Sequence, residues 1–415
     1  MGERRRVVVT GMGSVNPLGL DVAETWENTI QGKSGVGPIT LFDTSEFNVN
    51  IACEVKDFDA TNHMDLREAR RRDRFEQFGT VAAGEAISQA GLEVSDKNAG
   101  RIGVIVSSAV GGLNTVQDSV RTIDKTGPRR VSPFMIPMFM PNGASGLVAI
   151  DIGAKGPCYS LSSACASAAD GLGQAAFLIR AGVVDICIAG GADATITELG
   201  VSAFDRLGAM SRKREEPWNT PRPFDKHRDG LVMGEGAAVM VLESLESARS
   251  RGATILAELV GYAATGDAYH ITAPSEDGVG GASAIRDALR DADLKPEEVD
   301  YINAHGTATE LNDIMETKAI KSALGEFAAQ IPISSTKSMT GHMMGATGAL
   351  EAIFCVLAIR DSMLPPTINY ETPDPLCDLD YIPNQSRQAD VRVALSNAFG
   401  FGGHNAVLAF QAFSD

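Results

Sequence analysis

The sequence has little of what marks secreted, fibrous or membrane-spanning proteins. No run in it approaches the roughly 18 apolar residues that a transmembrane helix needs, and no apolar segment follows the arginines at positions 4–6, so we expect no signal peptide. The six cysteines are scattered over 415 residues without a C-x-x-C pair, which excludes a dense disulfide framework. These absences predict a cytoplasmic protein with reduced thiols.

Positive charge is also scarce. The chain has 36 Lys and Arg against 53 Asp and Glu, a formal net charge of −17. A chain this acidic does not coat nucleic acid or an anionic membrane through its bulk charge. The apolar share of 44% and the charged share of 21% are ordinary for a globular protein.

Strand-like and helix-like segments alternate along the chain, which predicts an α/β fold. The clearest are a strand over 6–10, a helix over 75–91 that ends at Gly91, a strand over 101–107 and a long apolar helix over 346–360. A break near residue 252 separates two stretches of related layout. We therefore predict two domains, 1–252 and 253–415.

A glycine pair, Gly11 and Gly13, follows the first strand and resembles half of a dinucleotide-binding loop. Asn16 stands where the third glycine belongs, and no acidic residue ends a second strand about 20 residues later. A tight turn after a core strand is the better interpretation.

Cys165 lies where a polar turn of small residues enters an Ala-rich helix. The unpaired N–H groups and dipole of a helix start stabilise a thiolate, so we expect the pKa of this thiol to be lowered. A buried structural cysteine remains the alternative, and it is our interpretation for Cys187 and Cys355, which lie within apolar segments.

Two histidines, His305 and His342, occupy Gly-rich turns just after strand-like segments, where α/β enzymes place their sites. A single histidine in such a turn is more often a hydrogen-bonded core residue. Together with Cys165 and Lys337 the two form a more specific set. The sequence shows no spacing typical of a metal site, so we predict no metal.

Arginines at 67, 70, 71 and 74 recur at helical spacing, and Arg129 and Arg130 add a second basic spot. One interpretation is a solvated helix face whose arginines pair with Glu68 and Asp73. The other is a docking site for an acidic partner.

Several long motifs make the chain resemble the elongating β-ketoacyl-[acyl-carrier-protein] synthases, most closely those of type II. They run nearly end to end: VVVTGMGSVNPLG, SSACASAADG, RPFDKHRDGLVMGEGA, NAHGTATELND, SSTKSMTGHMMGATGALEA and NAFGFGG. The resemblance implies the thiolase fold, two similar α/β halves in a five-layer α-β-α-β-α sandwich. It also implies a cytoplasmic homodimeric acyltransferase of fatty-acid biosynthesis whose partner is the acyl carrier protein.

The resemblance further implies a Cys-His-His site. Cys165 would take the acyl chain from the carrier, and the backbone N–H groups of Cys165 and Phe401 would form the oxyanion hole. Malonyl-carrier protein would then lose CO₂, with His305 and His342 as neutral N–H donors to the enolate oxygen. Its attack on the acyl thioester would give a 3-oxoacyl chain two carbons longer.

The remaining positions are carried over by the same motifs. Lys337 would set the electrostatics of the site, and Glu316 would be the acid that pairs with it. Asp313 and Glu351 would support the site, while Thr307 and Thr309 would hold the pantetheine arm. Phe401 would gate the acyl pocket beside Val110, Phe134 and Phe204, and Phe399 and Thr272 would also bind substrate. Docking of the carrier would use Arg67, Arg70, Arg71, Arg129 and Arg130.

No cofactor is expected, because the phosphopantetheine arrives on the carrier protein. A structural monovalent cation near Asn303, Glu351 and Asn397 is left open. His404 stands where many type II enzymes have Thr, and it is assigned no chemistry. A polyketide-type ketosynthase, a Cys-His thioester hydrolase and a non-catalytic subunit remain the alternatives.

Overall fold

The computed structural model describes residues 4–213 and 216–414. Its strands are β1 (Val7–Val15), β2 (Gly37–Pro38), β3 (Ile51–Ala52), β4 (Ile102–Ser107), β5 (Ile186–Asp193), β6 (Gly236–Ser244), β7 (Ala257–Gly266), β8 (Tyr301–Asn303), β9 (Ile333–Ser334), β10 (Met363–Leu364), β11 (Arg387–Gln388), β12 (Val393–Gly400) and β13 (His404–Gln411).

The α-helices are α1 (Val22–Ile30), α2 (Leu66–Ala69), α3 (Arg74–Ala90), α4 (Leu113–Thr126), α5 (Met135–Phe139), α6 (Gly143–Ile152), α7 (Ser167–Arg180), α8 (Glu198–Arg206), α9 (Leu245–Ser250), α10 (Val279–Ala292), α11 (Glu310–Leu324), α12 (Lys337–Thr340) and α13 (Thr347–Asp361). In the described part of the chain, none of the helices has the length and apolar character that crossing a membrane requires.

The main sheet contains the same strand pattern twice, in the order β4-β5-β6-β1-β7-β13-β12-β8-β9. In the first half, β6 lies antiparallel between β1 and β5, and β4 is parallel to β5. In the second half, β13 lies antiparallel between β7 and β12, and β8 is parallel to β12. Among the described strands, the two half-sheets are hydrogen-bonded to each other through β1 and β7, at the residue pairs Val8–Glu258 and Val9–Ala257. The boundary at residue 252 stays a prediction, and this repeated order supports it.

Helices α7 and α13 lie between the two half-sheets and pack against strands of both. Every residue of α13 from Thr347 to Ile359 is buried, as expected for a helix that is apolar all round. Helices α3 and α6 cover the outer face of the first half-sheet, and α10 and α11 cover that of the second. The predicted five-layer α-β-α-β-α sandwich is confirmed.

The glycine pair of the first strand does not form a turn, so that interpretation was wrong. Gly11 and Gly13 lie inside β1. A Cβ on either would stand 2.0 Å from a backbone oxygen of α3, that of Ala86 or Ala82. Glycine is needed there because helix and strand approach too closely for any side chain.

The predicted helix over 75–91 is confirmed as α3, capped by Asp73 at its start and by Gly91 with φ 56° at its end. The interpretation of residues 67–74 as one continuous helix face is wrong, because α2 ends at Ala69 and α3 begins only at Arg74. Arg74 turns inward and forms an ion pair with buried Glu235. Asp73 accepts from Thr115 instead of pairing with the arginines.

Candidate active site

Cys165 occupies the one-turn 3₁₀ helix Ala164–Ala166 that leads into α7, so its predicted place at a helix start is confirmed. The residue before it, Ala164, has φ 52°. Strained backbone of this kind turns a side chain sharply out of a loop. The backbone N–H groups of Cys165 itself and of Phe401 lie where they favour the thiolate over the thiol.

The expected lowering of the Cys165 pKa is wrong. Burial raises the pKa of this thiol to about 11, although the Lys337 charge and the two backbone N–H groups act in the opposite direction. The loss of hydration therefore outweighs the helix-start effect. At neutral pH the resting group is a thiol, and it needs a base. Cys187 and Cys355 are fully buried within β5 and α13, as predicted.

His342 supplies that base by geometry. Its Nε2 lies 3.0 Å from Cys165 Sγ, and its Nδ1 lies 3.1 Å from Thr347 Oγ1. Gly341 sets the turn before it: its φ is 65°, and a Cβ there would come within 2.8 Å of Cys53 Sγ. The thiol, the base and an orienting hydroxyl thus form one hydrogen-bonded chain.

His305 follows β8 and lies edge-on to His342, with 5.5 Å between ring centroids. The Cys165 sulfur and one ring nitrogen of each histidine lie within 4.8 Å of one another. Burial, and then the Lys337 charge, lower the pKa of both histidines well below the usual value. Both rings are therefore neutral at pH 7.

Lys337 does not pair with Glu316, which corrects the assignment drawn from the motifs. Its Nζ forms an ion pair with Glu351, and the two side chains are 1% and 2% exposed. Glu316 instead accepts the backbone N–H groups of His305 and Gly306, each at 2.7 Å. Glu316 thus holds the His305 turn, and burial raises its pKa to about 7.

A cavity opens over these groups. Its lining includes most of the expected substrate-contacting positions: Cys165, Phe204, Thr272, His305, Thr307, Thr309, His342, Phe399 and Phe401. Phe204 and Phe401 stack at its mouth with 6.3 Å between ring centroids. Asp313 lies beneath, fully buried, and accepts the backbone N–H of Phe224 at 2.8 Å.

Val110 and Phe134 are not among the described residues that line this cavity, so their place in the acyl pocket stays a prediction. Val110 belongs to the loop after β4, where its N–H donates to Ser108. Phe134 lies under the guanidinium of Arg71, 4.5 Å from its ring centre. Both side chains are partly exposed.

One buried carboxylate beside the site was missed. Asp193 ends β5 and accepts from Ser108 Oγ at 2.6 Å, Ala109 N at 3.0 Å and Gly345 N at 2.7 Å. It ties the loop after β4 to the turn that carries His342. An acid at the end of an apolar strand after Gly190-Gly191 was the available signal.

Four buried oxygens near Lys337 have no hydrogen-bond partner among the described residues: Asn303 Oδ1, Glu351 Oε2, Ser396 Oγ and Asn397 Oδ1. Asn303 and Ser396 are neighbours across β8 and β12. Unsatisfied buried oxygens call for an explanation such as a bound ion. The donor set fits a monovalent cation, whose binding here stays a prediction.

Comparison with known proteins agrees with this arrangement. Residues 4–248 match the family "Beta-ketoacyl synthase, N-terminal domain", and residues 256–371 match "Beta-ketoacyl synthase, C-terminal domain". The chain is 49% identical over 413 residues to 3-oxoacyl-[acyl-carrier-protein] synthase 2 of Staphylococcus aureus (strain N315), covering 100% of both chains. It is 51% identical over 411 residues to the protein of that name from Synechocystis sp. (strain ATCC 27184 / PCC 6803 / Kazusa), covering 99% of each.

Two solved structures have nearly the same fold. One is the ishigamide ketosynthase/chain length factor, with a TM-score of 0.92, 38% identity, and coverage of 99% of this chain and 100% of that one. The other is a type II polyketide acyl-carrier protein in complex with its ketosynthase, with a TM-score of 0.91, 39% identity and the same coverage. With both family domains matched and relatives similar over their whole length, this chain belongs to the β-ketoacyl synthase family.

Proposed function

We propose that this protein catalyses the decarboxylative Claisen condensation of malonyl-[acyl-carrier protein] with an acyl chain held on Cys165. The product is a 3-oxoacyl-[acyl-carrier protein] two carbons longer, and the reaction serves fatty-acid elongation. The observation that carries the proposal is the hydrogen-bond contact between the Cys165 thiol and His342, one of two neutral imidazoles beside a buried lysine. The relatives named 3-oxoacyl-[acyl-carrier-protein] synthase 2 support the substrate class.

Acylation begins when Cys165 attacks the thioester of an acyl-carrier protein. The thiol proton passes to His342 Nε2, 3.0 Å away. The tetrahedral oxyanion is held by the backbone N–H groups of Cys165 and Phe401, which already converge on the sulfur. The carbon–sulfur bond to the carrier then breaks, and its thiolate takes the proton back from His342.

Decarboxylation needs hydrogen-bond donors that do not themselves ionise. As the carboxylate leaves as CO₂, its electron pair forms an enolate whose oxygen is stabilised by N–H donors of His305 and His342. Because a hydroxyl can donate or accept, Thr347 allows His342 to carry its hydrogen on Nδ1 or on Nε2. The enolate carbon attacks the acyl thioester, and Cys165 leaves as a thiolate that takes up a proton from solvent.

Lys337 acts on this chemistry by charge. It contacts Glu351, and its charge lowers the pKa of Cys165 and of both histidines. It thus keeps the imidazoles neutral while it favours the thiolate in each step where the sulfur carries charge.

The pantetheine arm is held at the cavity mouth by Thr307 and Thr309, whose hydroxyls lie 2.9 Å apart. The stacked rings of Phe204 and Phe401 line the same cavity as the thiol. Their separation would admit the acyl chain, so Phe401 serves as both gate and oxyanion donor.

The acyl carrier protein docks on the basic residues of the segments 67–71 and 129–130. Arg67, Arg70, Arg129 and Arg130 are exposed, and within residues 4–213 and 216–414 no ion pair neutralises them. Arg71 is partly committed to Glu68 and to the ring of Phe134. Free guanidinium groups in a chain of net charge −17 suit a small acidic partner. The ketosynthase complex among the structural relatives supports a carrier of this type.

A homodimer completes the proposal, and the protein acts in the cytoplasm. The parallel bridge from Val104 to Cys158 ends the first half-sheet at an exposed segment. Large apolar side chains near it are exposed, Ile136 by 60% and Ile150 by 76%. Pairing of this edge with a second copy would cover them, and it would bring the segment around Phe134 toward an acyl pocket. All six cysteines are free.

A polyketide-type ketosynthase is the second candidate, because one structural relative of 39% identity is the ketosynthase of a type II polyketide system. An elongation assay decides between the two. Acyl-carrier proteins of graded chain length are incubated with malonyl-carrier protein, and products are identified by mass.

A single condensation on long saturated chains supports fatty-acid elongation, whereas repeated condensation without reduction supports a polyketide-type ketosynthase. Free acid without any 3-oxo product would indicate a thioester hydrolase. Cys165→Ala should abolish condensation, and full activity in that variant would refute the proposed function.

A further inference from the structure

The loop that presents Cys165 is strained and needs to be held. Ala164, with φ 52°, is an alanine in the left-handed region, which non-glycine residues seldom adopt. Such a conformation persists only where the surroundings over-determine it. Gly400, the last residue of β12 and the neighbour of Phe401, presses against this turn: a Cβ there would be 2.9 Å from Ser163 O and 3.0 Å from Cys165 N.

The first turn of α7 provides one set of restraints. Ser167 Oγ donates to Ala164 O at 2.6 Å and accepts the Ser163 N–H at 2.9 Å. Asp170, in the same turn, accepts a short hydrogen bond from Ser163 Oγ. The backbone on both sides of Ala164 is therefore tied to the helix that follows Cys165.

Asp170 also reaches the other half of the molecule. Its Oδ1 accepts from Tyr262 Oη of β7 at 2.7 Å. The Tyr262 ring lies flat on α7, where a Cβ on Gly173 would stand 2.4 Å from ring atoms. Burial raises the pKa of Asp170, while its two hydroxyl donors and the charge of His404 act in the opposite direction. His404 opens β13, directly after the Phe401 loop.

We propose that Asp170 is a positioning residue for the nucleophile, which clamps the Ser163–Ala164 turn to Tyr262 and so keeps Cys165 Sγ in line with the two oxyanion donors. This inference rests on the proposed function and deepens it. It assigns Asp170 to acylation alone, because its contacts reach the Cys165 turn and not the turns of His305 or His342. A misplacement of about 1 Å at a reacting atom costs roughly 100-fold in rate.

The test compares Asp170→Ala and Asp170→Asn with Glu85→Gln. Glu85 is a matched control, a partly buried carboxylate that also accepts two hydrogen bonds, from Ser14 N and Val22 N, on the opposite side of the first half-sheet. Three rates are measured: single-turnover acylation of Cys165, malonyl decarboxylation without an acyl donor, and alkylation of Cys165 by iodoacetamide without any carrier. The melting temperature is recorded for each variant.

We expect Asp170→Ala to slow acylation between about 10- and 100-fold, with decarboxylation and the KM for carrier substrates within about twofold. Asp170→Asn keeps one acceptor oxygen and should lose less. Adding Ser163→Ala to Asp170→Ala should cause no further loss, because both remove the same link. Glu85→Gln should leave all three rates unchanged.

Unchanged acylation in Asp170→Ala, or a parallel fall of acylation and decarboxylation, overturns the inference. If that variant does not fold, Ser163→Ala and Tyr262→Phe each remove a single hydroxyl and carry the same test. Alkylation by iodoacetamide reports the geometry of the turn even if the enzyme were to use a different acyl donor. Failure of the proposed function would show instead as absent elongation in the unsubstituted protein.

Discussion

The raised pKa of Cys165 predicts how much acylation should slow when His342 is removed. With the pKa raised to about 11, about one thiol in a thousand is ionised at pH 8. If His342 takes the proton during attack, the enzyme avoids this small population. The variant His342→Ala must depend on it, so its acylation at pH 8 should be slower by about 1,000-fold. That factor corresponds to about 4 kcal/mol in the activation free energy, within the range that a positioned general base supplies.

The pH profile separates this explanation from a simple loss of structure. Between pH 7 and 9 the unsubstituted enzyme has a neutral thiol and a neutral imidazole, because the pKa of His342 is lowered well below its usual value. Its acylation rate should therefore be flat. In His342→Ala the rate should rise about tenfold per pH unit, since it follows the thiolate fraction.

The assay is rapid-quench transfer of a radiolabelled acyl group from acyl-carrier protein to Cys165, followed across pH. His305→Ala is the matched control: its profile should stay flat, because His305 makes no hydrogen bond to the sulfur in the described part of the chain, whereas its decarboxylation should be poor. A loss below tenfold in His342→Ala, or parallel pH profiles for it and the unsubstituted enzyme, would refute the reasoning.

Three further predictions follow from buried or exposed charges. Lys337→Met leaves Glu351 buried and unpaired, so the free energy of unfolding measured in urea should fall by about 3–5 kcal/mol. The double variant Lys337→Met, Glu351→Met should recover most of this loss. A single variant as stable as the unsubstituted protein would count against the ion pair. Replacing Arg67 and Arg70 together by glutamate should raise the KM for carrier-bound substrates and leave the alkylation rate of Cys165 unchanged. Glutamate at an exposed arginine of α10 should change neither quantity. An unchanged KM in the first variant would mean that these arginines are solvated charges without a docking role. Burial raises the pKa of Glu76 from 4.5 to about 8, so the folded state binds this proton more tightly and the stabilisation present below pH 4.5 is lost as pH rises through 8. Between pH 4.5 and 8 the free energy of unfolding should fall less steeply with pH in Glu76→Gln than in the unsubstituted protein, by at most about 1.4 kcal/mol per pH unit. Identical slopes in the two proteins would contradict the raised pKa.

Much of the fold was predictable because its signals are local. Asp73 and Gly91 bound α3 through cap chemistry that needs only a few neighbouring residues. The apolar run over 346–360 became the central helix α13. The glycines of β1 misled because their purpose is the close approach of α3, a contact between segments some 70 residues apart in the chain.

The sequence by itself determined which residues form the site and which turns carry them: Cys165, His305, His342 and Lys337. Motifs of small residues and glycines mark these turns at the ends of strands and the start of a helix. Tertiary structure alone decided how these groups behave. The pKa of the thiol is raised because the site is buried between two half-sheets. Lys337 faces Glu351 rather than Glu316, because α13 crosses beneath it while Glu316 is held by the backbone of the His305 turn. Hydration lost on burial and the partner met across the fold are properties of residues distant in the chain, and no local pattern carries them.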